Sequence, residues 1–190
     1  MRYALALLML MAAPAAICSW VMIHTLISFW RRIGAALTYC ITATIFYAVI
    51  LGVFSNRRVL LTHSFGANNF LILFGEMLIL TDVWLFLLVA KHLPIRTFLG
   101  LPEIDPKGHP TKLITEGIFS RIRHPRYAQV LVMIFSCSLI VNYPATYILF
   151  VFSLAGFHLV ARLEDRELAA RYGQEYLEYR KQVPMFIPKL

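Results

Sequence analysis

Seven residues, Arg121-Ile122-Arg123-His124-Pro125-Arg126-Tyr127, carry four basic side chains at the point where a charged loop gives way to an apolar stretch. Guanidinium groups orient carboxylates bidentately, and an imidazole among them can hold or move a proton. A second charge-dense run, Arg162-Leu163-Glu164-Asp165-Arg166-Glu167, follows the last apolar segment. The two runs flank a single hydrophobic hairpin, so acidic and basic groups are expected to meet across its base, at a membrane surface. His124 precedes a proline, which pushes its backbone away from helical geometry and lets Pro125 start the next helix. Taken alone, a His-Pro pair is an ordinary helix cap and arginines beside a span are ordinary topology anchors. The return of Glu164 and Asp165 to the same face is what points to a site.

The elements that position these residues follow from composition. Of 190 residues 59% are hydrophobic and only 15% charged, with a positive mean hydropathy, a balance that a soluble domain of this size would struggle to hide from water. The expected fold class is therefore all-α, a polytopic integral membrane protein. Apolar stretches fall near residues 3–30, 33–54, 70–90, 127–141 and 144–161, against the roughly 20 residues a helix needs to cross a bilayer. Five transmembrane helices are expected. The fourth is short, and Asn142-Tyr143-Pro144 leaves room only for a tight turn before the fifth.

Five spans alternate the intervening loops between two sides. Fifteen Lys and Arg residues then share one side, including the seven from Lys91 to Arg126 and the six from Arg162 to Lys189, against three on the other. Basic loops are retained in the cytoplasm, so loop 91–126 and the carboxyl tail are expected there. The net charge of +8 reflects topology and contact with anionic lipid; nucleic-acid binding is not expected. The first apolar run continues to Trp30, beyond the short core of a cleavable leader, and is expected to remain as an anchor. Cys18, Cys40 and Cys137 are scattered without metal-ligand spacing, so neither a metal site nor a disulfide framework is expected.

Along the chain, residues 1–90 read as a three-helix membrane scaffold in which Gly34, Gly52 and Gly75 would let helices approach closely. Residues 91–190 read as a catalytic region forming one structural unit with it. Residues 55–69 form a polar connector with a short turn near Val59–Leu61. Pro94, Pro102, Pro106, Gly108 and Pro110 make the first half of loop 91–126 irregular, and a loop of this length raises the expectation of a lid or site wall. The tail from Arg162 to Tyr179 is expected to be an amphipathic helix on the membrane surface. Within the third span, Glu76 and Asp82 lie about 120° apart and cannot share a face. His24 and His158 are expected to be hydrogen-bonded core histidines.

Three motifs then stand in order: Leu113-Ile114-Thr115-Glu116-Gly117-Ile118-Phe119, Arg123-His124-Pro125-Arg126-Tyr127, and Glu164-Asp165 followed by Tyr172-Gly173-Gln174-Glu175-Tyr176 and Val183-Pro184. Together, over roughly residues 108–190, they resemble the isoprenylcysteine carboxyl methyltransferase family. The resemblance implies S-adenosylmethionine as methyl donor, bound by Leu113, Ile114, Gly117, His124, Pro125, Tyr127, Glu164 and Asp165. Asp165 stands where the family usually has a second Glu, and Phe119 where it usually has Tyr. None of the nine glycines forms a GxGxG loop, which excludes a soluble Rossmann-type site. For a carboxylate acceptor, Arg123 and Glu164 are the expected catalytic residues, Arg123 orienting the anion and Glu164 holding donor groups or balancing Arg123.

The implied acceptor is lipophilic, its tail entering from the bilayer among membrane lipids; its identity and the oligomeric state are not legible. An alternative is an NADPH-dependent membrane sterol or enone reductase, which shares an Arg-His-Pro turn but usually continues with Asn, where this chain has Arg126. A third reading is a non-enzymatic scaffold or small transporter whose charged clusters anchor lipid.

Overall fold

A computed structural model describes residues 1–188; Lys189, counted among the cytoplasmic charges, lies outside them. The described residues form ten α-helices: α1 Arg2–Thr25, α2 Ile27–Ile33, α3 Ala35–Ser55, α4 Arg57–Leu60, α5 Asn69–Ala90, α6 Ile95–Phe98, α7 Leu101–Ile104, α8 Pro125–Val141, α9 Pro144–Tyr172 and α10 Gln174–Gln182. A 3-10 turn covers Gly117–Ser120. Four of the helices, α1, α3, α5 and α9, are long and apolar enough to span a bilayer, and α8 is a shorter apolar helix of 17 residues. The chain is an all-α integral membrane protein. Large apolar side chains stay exposed along its outer faces, among them Leu37, Tyr47, Phe70, Leu80, Trp84, Leu87 and Phe152, where hydrocarbon replaces water as the solvent.

Helix boundaries follow local chemistry. The Asn68 side chain accepts from the backbone N–H of Phe70 and Leu71 and caps α5, satisfying two of the donors a helix start leaves open. The hairpin turn between α8 and α9 works as expected. Asn142 adopts a left-handed conformation with φ 55°, Pro144 opens α9, and Tyr147 Oη donates to the Asn142 side chain at 2.8 Å. Arg2 Nε donates to Val141 O at 3.0 Å and ties the start of α1 to this turn.

α5 packs along α8, while α1 packs against α3, α8 and α9. The main core joins α1, α8 and α9 through Ala6, Met9, Leu10, Tyr127, Ile134, Leu149, Phe157 and Val160. Of the small residues singled out in the sequence, Gly75 alone allows close approach: a Cβ there would meet Ile140 Cγ1 at 2.7 Å and the Ser136 carbonyl at 2.8 Å, whereas nothing lies within 4 Å of one at Gly34 or Gly52. Gly75→Ala must therefore push α5 from α8 at a cost of about 1–3 kcal/mol, read as a lower melting temperature in detergent. Gly52→Ala, in open space, should leave it unchanged or slightly higher.

Asp82 and Glu76 separate as their spacing requires. Asp82 is buried against α8 and accepts from Gln129 Nε2 at 2.5 Å, a polar tie between spans, while Glu76 is exposed on the outer face.

Three expectations are corrected. The tail does not form one surface helix from Arg162 to Tyr179: α9 runs unbroken through the acidic pair to Tyr172, and Gly173 with φ 59° turns the chain into α10. Continuous α-helical hydrogen bonding costs less than breaking at the membrane boundary, and the only residue that breaks it is the glycine. His158 is exposed rather than core, because its neighbour Phe157 takes the inward position on α9. His24 is buried, but both its ring nitrogens lack a hydrogen-bond partner; its ring stacks on Trp20 at 5.5 Å.

Candidate active site

The elements expected to meet at the base of the hairpin are joined first through the backbone. Residues 184 and 185, beyond α10, return along the Arg-His-Pro turn, and the Arg123 and His124 N–H groups donate to Pro184 O at 2.9 Å and Met185 O at 3.1 Å. These two bonds hold His124 in the non-helical conformation that the following proline already favours. Pro125 then starts α8, and the hairpin returns Glu164 and Asp165 on α9 to the same place.

Asp165 is the hub. Arg123 Nη2 donates to its Oδ2 at 3.0 Å and Nε to its Oδ1 at 3.4 Å. His124 Nε2 lies 2.8 Å from Oδ1, and Tyr176 from α10 donates its hydroxyl to the same oxygen. Arg123 Nη1 also donates to the carbonyls of Arg180 and Val183, so four of its five N–H groups are engaged. The other face of the imidazole, Nδ1, lies 3.4 Å from Glu164 Oε2. His124 and Glu164 are thus within one small-molecule contact of each other, and the two charged runs converge.

Burial by itself would lower the His124 pKa, but hydrogen bonds to Asp165 and Glu164 outweigh it and raise it to about 9. The imidazole is a cation at neutral pH, bridging two carboxylates. Since the folded value lies above the ordinary 6.5, this pairing contributes stability that is complete below pH 6.5 and is lost as pH rises through about 9. Melting temperature in detergent should fall over that interval in wild type. In His124→Asn the slope should flatten.

Two adjoining chambers open beside this hub. Leu113, Ile114 and Glu164 line the larger, with Thr111, Arg171 and Tyr172; His124, Pro125, Tyr127 and Glu164 line the smaller, with Trp20 and Arg126. Arg123 lines both. Tyr127 is sandwiched between the His124 ring at 5.7 Å and Phe157 at 5.4 Å. Asp165 is 3% exposed and stands behind the wall, holding Arg123, His124 and Tyr176. Gly117 lies outside the lining; its φ of 60° packs it on the His92 ring, where a Cβ would clash, so its part is to shape the loop.

Several contributors were not legible in the sequence. Glu103 sits in a segment whose prolines announce irregular backbone. The structure instead uses them: Pro94 precedes α6 and Pro102 sits at the start of α7, where the missing N–H costs nothing. The two single-turn helices carry Thr97 and Glu103 over the chambers. Arg31 Nε donates to Glu103 O at 2.8 Å and Tyr39 donates to Leu99 O at 2.8 Å, strapping this segment to α2 and α3. The Arg126 guanidinium lies between Phe98 at 3.9 Å and Trp20 at 4.8 Å, a cation–π sandwich. One of three acids in a basic loop is a faint signal; Trp20 gives none.

Burial, together with the charge of Glu164, raises the Glu103 pKa to about 7. Its Oε2 and Thr97 Oγ1 have no hydrogen-bond partner, and both residues, like Glu164, line both chambers. Buried polar groups without partners are rare.

Comparison with known proteins agrees with this geometry. Over 113 residues, 55% of its length, the chain is 29% identical to a methanethiol S-methyltransferase of Crocosphaera subtropica, covering 43% of that protein. Over 95 residues, 49% of its length, it is 30% identical to protein-S-isoprenylcysteine O-methyltransferase B of Arabidopsis thaliana, covering 47% of it. The chain therefore spans about half the length of these relatives. The phospholipid methyltransferase profile matches residues 70–175, which adds α5 and the α6–α7 segment to the region of resemblance. With more than half of its length matched from α5 through the acidic pair, the chain belongs to the phospholipid methyltransferase family.

Proposed function

We propose that the chain is a membrane-embedded methyltransferase that takes its methyl group from S-adenosylmethionine and places it on a lipophilic acceptor. The observation that carries this reading is the meeting of the Arg-His-Pro turn with Glu164 and Asp165 beside two chambers that contain unpartnered acceptor atoms. Both named relatives are methyltransferases, which favours methyl transfer over the reductase alternative.

The donor supplies a methyl group already activated on a sulfonium, so the protein's work is positioning and exclusion of water. Leu113, Ile114 and Glu164 hold it in the larger chamber, with Gly117 shaping the loop. His124, Pro125, Tyr127 and Asp165 fix the turn that joins the chambers. The smaller chamber is lined by Arg123, Arg126 and the His124 cation together with Glu103 and Glu164, and its guanidinium groups are the contacts that suit an anionic acceptor such as an isoprenylcysteine-like carboxylate. Arg123 has one N–H left to orient that anion. The acceptor's apolar tail remains in the bilayer, and the basic loop and tail face the cytoplasm, following the fifteen-to-three split of Lys and Arg.

The test begins with ligand-dependent melting in detergent. Saturating S-adenosylhomocysteine should raise the melting temperature by mass action, and NADPH should not. Labelled S-adenosylmethionine incubated with the protein and a membrane extract should then yield a labelled lipid product. A shift with NADPH alone would replace this reading with the reductase.

A further inference from the structure

The two chambers share six lining residues: Leu93, Thr97, Glu103, Phe119, Arg123 and Glu164. If the larger chamber takes the nucleoside end of the donor and the smaller the acceptor head, the methyl group crosses at this shared neck. Only two of the six are acids, and they differ in their counter-charges. Glu164 faces the His124 cation at 3.4 Å. Glu103 is 95% buried, makes no salt bridge, and leaves Oε2 without any partner. The nearby cations are committed elsewhere: Arg31 Nη2 and Arg171 both bind Glu167, and Arg123 binds Asp165. A buried carboxyl with no neutralising neighbour is costly to keep, and this one lines the neck where positive charge would arrive.

We propose that Glu103 is a specificity-determining residue that reads the sulfonium charge, so that the site holds the charged donor more tightly than its neutral sulfide product. The inference rests on the methyltransferase reading above. As the acceptor's bond to the methyl carbon forms, the carbon–sulfur bond breaks and its electron pair stays on sulfur. The ligand enters cationic at sulfur and leaves neutral there, while its other groups are unchanged. A carboxylate at the neck therefore separates donor from product by charge alone, where shape separates them poorly. Its contribution belongs to donor binding: the attraction is spent as the charge disappears, so losing it should raise KM for the donor and spare kcat.

Glu103→Gln keeps the shape and removes the charge. Affinities of purified wild type and variant for S-adenosylmethionine and S-adenosylhomocysteine should be measured by calorimetry without acceptor. The preference for the sulfonium should fall about tenfold in the variant, the usual worth of one charge-assisted contact, with product affinity nearly constant. Equal loss for both ligands would assign Glu103 to another part of the molecule and overturn the inference, as would an unchanged ratio. Wild type binding neither ligand would reject the methyltransferase reading itself, a separate outcome.

A second readout needs no assumption about folding of the variant. Facing Glu103 are Glu164, Glu167 and Arg171 from α9, Arg31 from α2, Tyr39 from α3, and Arg123, His124, Arg126 and Tyr127 from the turn and α8; the His124 cation is lost only near pH 9, above the interval in which Glu103 titrates. Glu103 has a midpoint near 7. The wild-type preference for the sulfonium should accordingly be full above about pH 8 and shrink below pH 6. In the variant it should be flat, and a wild-type ratio that is equally flat would overturn the proposal.

Discussion

Asp165→Ala is expected to be the most destabilising single change in this chain, lowering the melting temperature in detergent by on the order of 10 °C. The side chain is 3% exposed and receives Arg123, His124 and Tyr176 at once. Its removal leaves a buried guanidinium and a buried imidazolium without their shared anion. Breaking a buried pair from one side costs about 3–5 kcal/mol, and in a chain of this length each kcal/mol is worth roughly 2–4 °C. The loss should also propagate. Arg123 and His124 hold the segment after α10 through backbone hydrogen bonds to Pro184 and Met185, so protection of the 183–186 amides from hydrogen exchange should collapse together with the turn. A drop of only a degree or two would show that Arg123 is held by the Arg180 and Val183 carbonyls and not by Asp165.

Glu164→Gln should separate function from folding. This side chain is 22% exposed and faces both chambers, and His124 keeps Asp165 as counter-ion when Glu164 is neutralised, so its neutral isostere should melt within a few degrees of wild type. If Glu164 holds donor groups, transfer should nevertheless fall about 10- to 100-fold, because a charge-assisted contact to a ligand is worth about 1.5–3 kcal/mol. The measurement is initial rate of labelled methyl incorporation, paired with the stabilisation produced by S-adenosylhomocysteine. Full rate with a full ligand shift would remove Glu164 from the site and leave its role as a counter-charge for His124.

The contrast between these adjacent residues comes from helix geometry. Positions 164 and 165 point about 100° apart on α9; one therefore faces the chambers while the other faces the turn and α10. In the sequence they form a single acidic pair, and nothing in their type announces that one is structural and the other open to a ligand. The same holds for Arg123. Its basic neighbours and its place before His-Pro mark it out, yet only the folded chain reveals that most of its donors are spent on Asp165 and on carbonyls of the tail.

What the residues determined unaided is what depends on local order and on the solvent: apolar runs of span length, the cap at Pro125, the tight turn at Asn142-Tyr143-Pro144, and the motif order that places two charged runs at the ends of one hairpin. These follow from backbone sterics and hydrophobic length, which act over a few residues or one helix. The packing of Gly75 on Ser136, the arrival of Glu103 and Trp20 at the chambers, the outward turn of His158 and the continuation of α9 through its charges were settled only by the fold. Each depends on which helix lies against which, and in a bilayer that choice is made by close packing and a few polar contacts between spans. Apolar composition, nearly uniform along all the spans, carries no record of it.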